Sequence, residues 1–244
     1  MTNQFKLIIA ILLLNTSAFS YANSVDLLAQ PHRSEQDKVR DKTSKPLDII
    51  EFSGVKPDMH VLDLFAGAGY YSEILSQVVG PQGKVFLHNN KAYLSYVGQE
   101  LQKRMADGSL TNVVQYVHET DDLLLQDNVL DSIFFVLGYH DLHHVIDGWN
   151  IDQDKLLKQL YKALKPGGTL LIIDHSAPIG TGIEYSQEKH RIAPEYVVRE
   201  LKDFGFHFVK QTDVLANPKD NYELSPFDPE VYRKTDRFVL LFRK

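Results

Sequence analysis

Hydrophobic and polar positions along this chain fall into blocks of two periods. Apolar strand-like runs at 61–64, 85–88, 113–117, 132–137 and 169–173 predict strands buried on both faces. Between them, at 70–79, 93–105 and 154–164, apolar residues return every three or four positions, the repeat of a helix packed by one face. Strands and helices that take turns, with Gly and Pro at the joins, need crossover connections. They predict an α/β fold with a mainly parallel sheet covered on both faces. Near the end the rhythm breaks: a helix at 194–204 precedes strands at 206–211 and 238–242 with no helix between them. A connection of about 26 residues is long for a compact domain and predicts a surface loop with a role.

The front of the chain follows a different pattern. Lys6 precedes the apolar run Leu7 to Leu14, and Ser20 and Ala22 occupy the small-residue positions of a cleavage site. Eight apolar residues fall short of the roughly 20 that span a bilayer, so the pattern predicts a signal peptide at 1–22, cut after Ala22, and export, in a bacterium to the periplasm. Residues 23–53 read as an N-terminal extension in which a charged helix restarts at Pro46 and packs across one end of the sheet. Residues 54–244 form the main domain.

Composition narrows the partners. Of 244 residues 43% are apolar, the net charge is −6, and no block of lysine or arginine occurs, which argues against nucleic acid and, after cleavage, against a membrane anchor. With no cysteine there is no disulfide framework, thiolate nucleophile or cysteine-held zinc. A small-molecule partner remains, and the oligomeric state is left open.

The chemistry concentrates in Val61-Leu62-Asp63-Leu64-Phe65-Ala66-Gly67-Ala68-Gly69-Tyr70-Tyr71-Ser72, a strand, a glycine turn and a helix. Gly67 and Gly69 let a ligand approach the backbone, small Ser72 lets the helix lie near the strand, and the first helical N–H groups are free to bind. Asp63 suits a cation better than a pyrophosphate. This counts against a nicotinamide-dependent oxidoreductase built on the same turn.

On these residues, on Leu164-Lys165-Pro166-Gly167-Gly168-Thr169 and on the last two strands, the chain resembles the class I S-adenosylmethionine-dependent methyltransferases. Arg40 to Pro46, Gly54-Val55-Lys56-Pro57, Asp174-His175, His190-Arg191-Ile192 and Lys234-Thr235-Asp236-Arg237-Phe238 look like a bacterial branch of uncharacterised predicted methyltransferases with export signals. The resemblance implies a Rossmann-like, doubly wound, seven-stranded sheet with an antiparallel terminal strand. It also implies S-adenosylmethionine as cofactor and methyl transfer to a small acceptor. Asp63, Phe65, Gly67, Gly69, Tyr70, Asn89, Asp121 and Tyr139 then stand at the cofactor: Asn89 on the ribose hydroxyls, Asp121 at the adenine amine and Tyr70 facing the cleft.

Two positions depart from the family pattern. Phe65 stands where its first glycine belongs, and must point into the core to leave the turn clear. Asn89 stands where a carboxylate usually holds the ribose, a change worth about 1 to 2 kcal/mol, or tenfold in affinity. Both favour a second reading, an exported protein that binds a nucleoside or S-adenosylhomocysteine without catalysis.

An acceptor is expected beyond the carboxyl ends of the strands, where their order reverses. There the chain offers Gly138-Tyr139-His140-Asp141 and Asp174-His175, and His140, Asp141 and His175 are the candidate catalytic residues, the histidines able to be neutral near pH 7. His140, His143 and His144 have helical spacing but lack a further ligand, so no metal is expected. The stretch 176–191 could close over a substrate, and Arg191 could pair with an anionic acceptor or with Asp174.

Overall fold

A computed structural model describes residues 27–244; the expected signal peptide and cleavage point at 1–22 lie outside the described residues. Two helices come first, α1 (Glu35–Ser44) and α2 (Pro46–Ser53), separated by Lys45 in a left-handed conformation with Pro46 opening the second. The helix therefore does restart at the proline, whose missing N–H is harmless in a first turn.

Then follow β1 (His60–Leu64), α3 (Tyr70–Val79), β2 (Lys84–Asn89), α4 (Lys91–Met105), β3 (Val113–Val117) and β4 (Leu130–Val136). After a short 3-10 turn (His140–His143) come α5 (Gln153–Ala163), β5 (Leu164–His175), the single turn α6 (Ser186–Lys189), α7 (Pro194–Asp203), β6 (His207–Thr212) and β7 (Arg237–Arg243). Side-chain caps set several starts: Ser34 accepts from the Asp37 N–H, Asn90 from Tyr93 and Asp152 from Lys155.

The seven strands form one sheet in the order β3-β2-β1-β4-β5-β7-β6. All neighbours are parallel except at β7, which runs antiparallel to both β5 and β6. This is the doubly wound sheet the sequence implies, with β1 and β4 at the switch point. One apolar layer joins the sheet to α5 and α7 through Leu156, Leu160, Val197 and Leu201. The other joins it to α2, α3 and α4 through Ile49, Ile74, Leu75 and Leu101.

Strand β5 is longer than the apolar run suggests, because Leu164 already pairs with Leu130 before a register shift. Within it Gly167 has φ +80°, and a Cβ on Gly168 would lie 2.9 Å from the Lys165 carbonyl oxygen, so both glycines serve the backbone path. The long β6–β7 connection is folded down. Fully buried Arg191 forms a double ion pair with Asp220 at 2.8 and 3.1 Å and also donates to the Ser176 and Leu224 carbonyls. Arg191 therefore pairs with Asp220 and not with Asp174. Among the described residues no helix is long and apolar enough to cross a membrane.

Candidate functional site

The glycine turn leaves the carboxyl end of β1. Gly67 and Gly69 take φ of +60° and +82°. At Gly69 there is also no room, since a Cβ would lie 2.9 Å from Leu87 and 3.2 Å from Arg104; at Gly67 the nearest neighbour is the Tyr93 ring at 3.7 Å. Behind the turn Asp63 is 2% exposed and accepts a 2.6 Å hydrogen bond from the Ser72 hydroxyl. Burial pushes its carboxyl up to about 6, against the Ser72 hydrogen bond and the Arg40 charge, which pull it down. A desolvated carboxylate beside a glycine turn fits a cationic ligand.

Phe65 is turned into the core, as its position demands. Its ring meets His88, Tyr93, Phe135 and Trp149 at centroid distances of 5.3 to 5.8 Å, and its backbone takes φ +51°, the conformation a glycine would adopt freely. Asn89 is placed differently from expectation. Its Oδ1 accepts from the Gly67 N–H at 3.0 Å and its Nδ2 donates to the Gly67 carbonyl at 2.9 Å, so the amide holds the turn and not a ribose. A carboxylate could accept from that N–H but could not donate to the carbonyl.

The opening helix α1 covers this turn. Tyr70 is buried, donates to Asp41 at 2.7 Å, and carries the Arg40 guanidinium 3.9 Å over its ring, so it faces α1. Arg104 ties the layers together, donating to the Ala68 carbonyl at 2.5 Å, to Asp37 at 2.7 Å and to Glu73. Neighbouring Arg33 forms a double ion pair with Asp41 at 2.6 and 2.9 Å. Asp121 is exposed at the end of β3, lining a hollow of about 450 Å³ with Glu119, Thr120, Asn150, Asp152 and Lys155. Tyr139 has no solvent access; its hydroxyl donates to Glu200 and its ring packs on Phe135, which makes it a core residue.

A second group gathers where β4 and β5 end. Asp174, fully buried, accepts from the His140 backbone N–H at 2.8 Å and from its Nδ1 at 2.7 Å, while His140 Nε2 lies 3.1 Å from Asp141. Burial opposes the charged form of His140, but the two carboxylates overcome it and raise the imidazole to about 10. His140 is therefore charged at neutral pH, not the free base its sequence position allowed. His175 is the opposite case: burial first, then the charges of His140, Arg237 and Arg191, hold it well below its ordinary value and neutral, with Nδ1 2.7 Å from the Thr235 hydroxyl.

The strap 176–192 returns to the sheet, since Ile192 donates to the His175 carbonyl and accepts from Ala177, each at 3.0 Å. That carries His190 to Asp141, with its Nδ1 at 3.5 Å. Tyr93 and Trp149 link the two groups: the Trp149 indole donates to the Asp141 carbonyl at 3.0 Å and stacks 5.9 Å from Tyr93, whose ring faces Gly67. Sequence reasoning missed Trp149 and carried Arg40 and Thr235 only within longer matched segments, while Asp174 stood out only by sharing a strand end with His175. His143 packs against Tyr196 and Glu200, outside the cluster.

The architecture matches solved methyltransferases. A SAM-dependent methyltransferase from Aquifex aeolicus superposes with a TM-score of 0.61 over 93% of this chain and 99% of its own, at 22% identity, a likeness of fold. In sequence, the ubiquinone/menaquinone biosynthesis C-methyltransferase UbiE of Legionella pneumophila (strain Lens) is 32% identical over 136 residues, 55% of this chain and 50% of the relative. The UbiE of Idiomarina loihiensis is 28% identical over 177 residues, 71% and 60% of the two chains. The chain thus spans about half the length of the first of these relatives. The model of one family matches residues 38–197, which take in most of α1, the glycine turn, both carboxylate–histidine strand ends and the strap. On that match the chain belongs to the ubiE/COQ5 methyltransferase family, whose members share the class I fold and the S-adenosylmethionine cofactor that the glycine turn implies.

Proposed function

We propose that this protein is exported and transfers a methyl group from S-adenosylmethionine to a small-molecule acceptor. The observation that carries the reading is Asp63: a buried carboxylate raised to about 6 directly beneath the Gly67–Gly69 turn, a place where a cation relieves an electrostatic cost. When bound, S-adenosylmethionine supplies an electrophilic methyl on a sulfonium sulfur. Gly67 and Gly69 admit it to the backbone, Asp63 answers its positive charge, and Asp121 lines the hollow available to the base.

Displacement at the methyl carbon is mainly a matter of alignment, with a base needed only where the acceptor loses a proton. His175, kept neutral, offers the acceptor a hydrogen-bonding ring nitrogen, and Asp141 is the carboxylate beside it. His140, held charged between Asp141 and Asp174, orients the acceptor. The relatives are named for carbon methylation in quinone biosynthesis; the overlap with half their length supports a shared donor more than a shared acceptor.

Calorimetric titration of the chain lacking residues 1–22 with S-adenosylmethionine, S-adenosylhomocysteine and NAD tests the reading. The first two should bind and NAD should not. Labelled donor should then pass its methyl to a component of a small-molecule extract. Binding of product with no transfer to any acceptor would favour a non-catalytic binding protein, and NAD binding alone would refute the donor assignment. Export rests on Lys6, the run Leu7 to Leu14, Ser20 and Ala22. Fusion of the first 30 residues to a reporter active only outside the cytoplasm checks it.

A further inference from the structure

We propose that His140, Asp141 and His190 form a binding site for a divalent transition-metal ion, with zinc as its simplest occupant. One ligand atom from each lies within 4.8 Å of the others. His140 Nε2 is 3.1 Å, and His190 Nδ1 3.5 Å, from the same Asp141 oxygen. Bonds of about 2.1 Å at the tetrahedral angle set ligand atoms about 3.4 Å apart, so the two edges that meet at Asp141 match those of a tetrahedral zinc site. Two imidazoles and one carboxylate form a donor set that leaves a fourth position for a water or a substrate oxygen, the ion taking the place of the proton that His140 Nε2 carries in the metal-free chain.

Three further observations point the same way. The other ring nitrogen of His140, Nδ1, is held by buried Asp174 at 2.7 Å. A carboxylate behind a ligating imidazole fixes its tautomer and orientation, the usual support of a metal ligand. His190 Nδ1 is shut off from solvent and makes no hydrogen bond, which is costly for a ring nitrogen unless something completes it. Lastly, His190 is a non-glycine residue at φ +52°. The strap holds it there through the Ile192 contacts to β5 and the Arg191 double ion pair, with His144 stacked on its ring at 4.6 Å. Strain retained in this way aims a side chain that a relaxed backbone would turn elsewhere. The sequence could not show this set, because His190 lies 49 residues beyond Asp141 and, of the local trio, His143 turns to Glu200 and His144 to the His190 ring.

The site stands whether or not methyl transfer is observed, and its test reads metal directly. The untagged chain lacking residues 1–22 is stripped with chelator, titrated with zinc chloride by calorimetry, and analysed for bound metal after gel filtration. One zinc per chain is expected, with a melting temperature that rises with zinc concentration. Cobalt in place of zinc should give the visible absorption of a tetrahedral site. H190Q and D141N should each lose at least tenfold in zinc affinity while keeping the circular dichroism of the parent. H207Q, on the exposed edge strand β6, should bind as the parent does. Absence of stoichiometric zinc, or affinity unchanged in both H190Q and D141N, would overturn the proposal. If D141N fails to fold, H190Q alone decides, since the His190 side chain is 23% exposed and lies on the strap.

Discussion

Asp63 is the residue whose replacement separates stability from ligand binding most cleanly. Its side chain is buried and its carboxyl is raised from 3.8 to about 6 by desolvation, in spite of the Ser72 hydrogen bond and the Arg40 charge. A carboxyl raised on folding keeps its proton in the folded chain after the unfolded chain has lost it. Stability therefore falls as pH rises from about 4 to about 6, and the full cost is present above that range. Two pH units correspond to about 3 kcal/mol. Asp63→Asn keeps the shape and the hydrogen bond from Ser72 but never carries the charge. Parent and variant should be equally stable near pH 3.5, and the variant should gain on the parent through pH 6, reaching about 3 kcal/mol at pH 7. For a domain of this size that is about 6 to 12 °C in melting temperature.

Urea denaturation of both chains from pH 3.5 to 8 measures the difference directly, and groups unaffected by the substitution cancel. In the same variant S-adenosylmethionine should lose more than tenfold in affinity, with a smaller loss for S-adenosylhomocysteine, which lacks the sulfonium charge. A stability difference that is flat with pH, or a variant less stable than the parent at pH 7, would refute the claim that Asp63 is held ionised at a cost. Undiminished S-adenosylmethionine binding would refute its role at the cation.

Other consequences can be checked alongside. Asn89→Asp exchanges the bond to the Gly67 carbonyl for a repulsion, so it should lower stability by about 1 to 3 kcal/mol in urea melts of the free protein; an unchanged midpoint would mean that the amide does not hold the turn. Phe65→Ala removes a ring in contact with four others and should cost about 3 to 5 kcal/mol, since alanine keeps the left-handed strain and leaves a cavity. Asp220→Asn leaves the buried Arg191 charge without its partner, which should cost about 3 to 5 kcal/mol and expose the strap 176–192 to limited proteolysis before the rest of the chain.

The architecture was legible in the sequence because it rests on periodicity. Seven apolar runs became seven strands, with ends displaced by a residue or two, and the break after α7 marked the antiparallel pair. The extra length of β5 escaped, since its first residues are polar and glycine-rich and pair only because β4 passes beside them. Local geometry was also legible: Gly67 and Gly69 at a positive-φ turn, Phe65 inward, Asp63 behind. Partner choice was not. Asn89 meets Gly67 across 22 residues and Arg191 meets Asp220 across 29, distances over which any of several polar side chains would have served equally well. Tyr139 and Tyr70 each carry a hydroxyl that reads as functional until the buried Glu200 and the α1 residue Asp41 are seen to accept it.

The places where local preference is overridden are informative in themselves. Phe65 and Leu137 each follow a strand at the switch point, and His190 ends the turn of the strap; all three have φ between +51° and +58°. Such a backbone costs about 1 to 2 kcal/mol for a residue with a Cβ, and at Phe65 the compensation is visible. The Phe65 N–H turns toward His88 Nδ1 at 3.4 Å, and the other ring nitrogen lies 3.0 Å from the His118 carbonyl. That arrangement requires a neutral imidazole with its proton on Nε2, and burial lowers His88 to about 4, which keeps it neutral across the physiological range. The Ala66 N–H goes to the His88 carbonyl at 2.8 Å, so one residue of β2 anchors both amides at the start of the turn. With Asn89 holding Gly67 from the next position, β2 fixes the path of the turn while β1 supplies the charge beneath it. A glycine at 65 would have reached the same conformation without strain, but it would have left the space between Tyr93, Phe135 and Trp149 unfilled. The phenylalanine thus exchanges backbone ease for a ring that closes the core under the site.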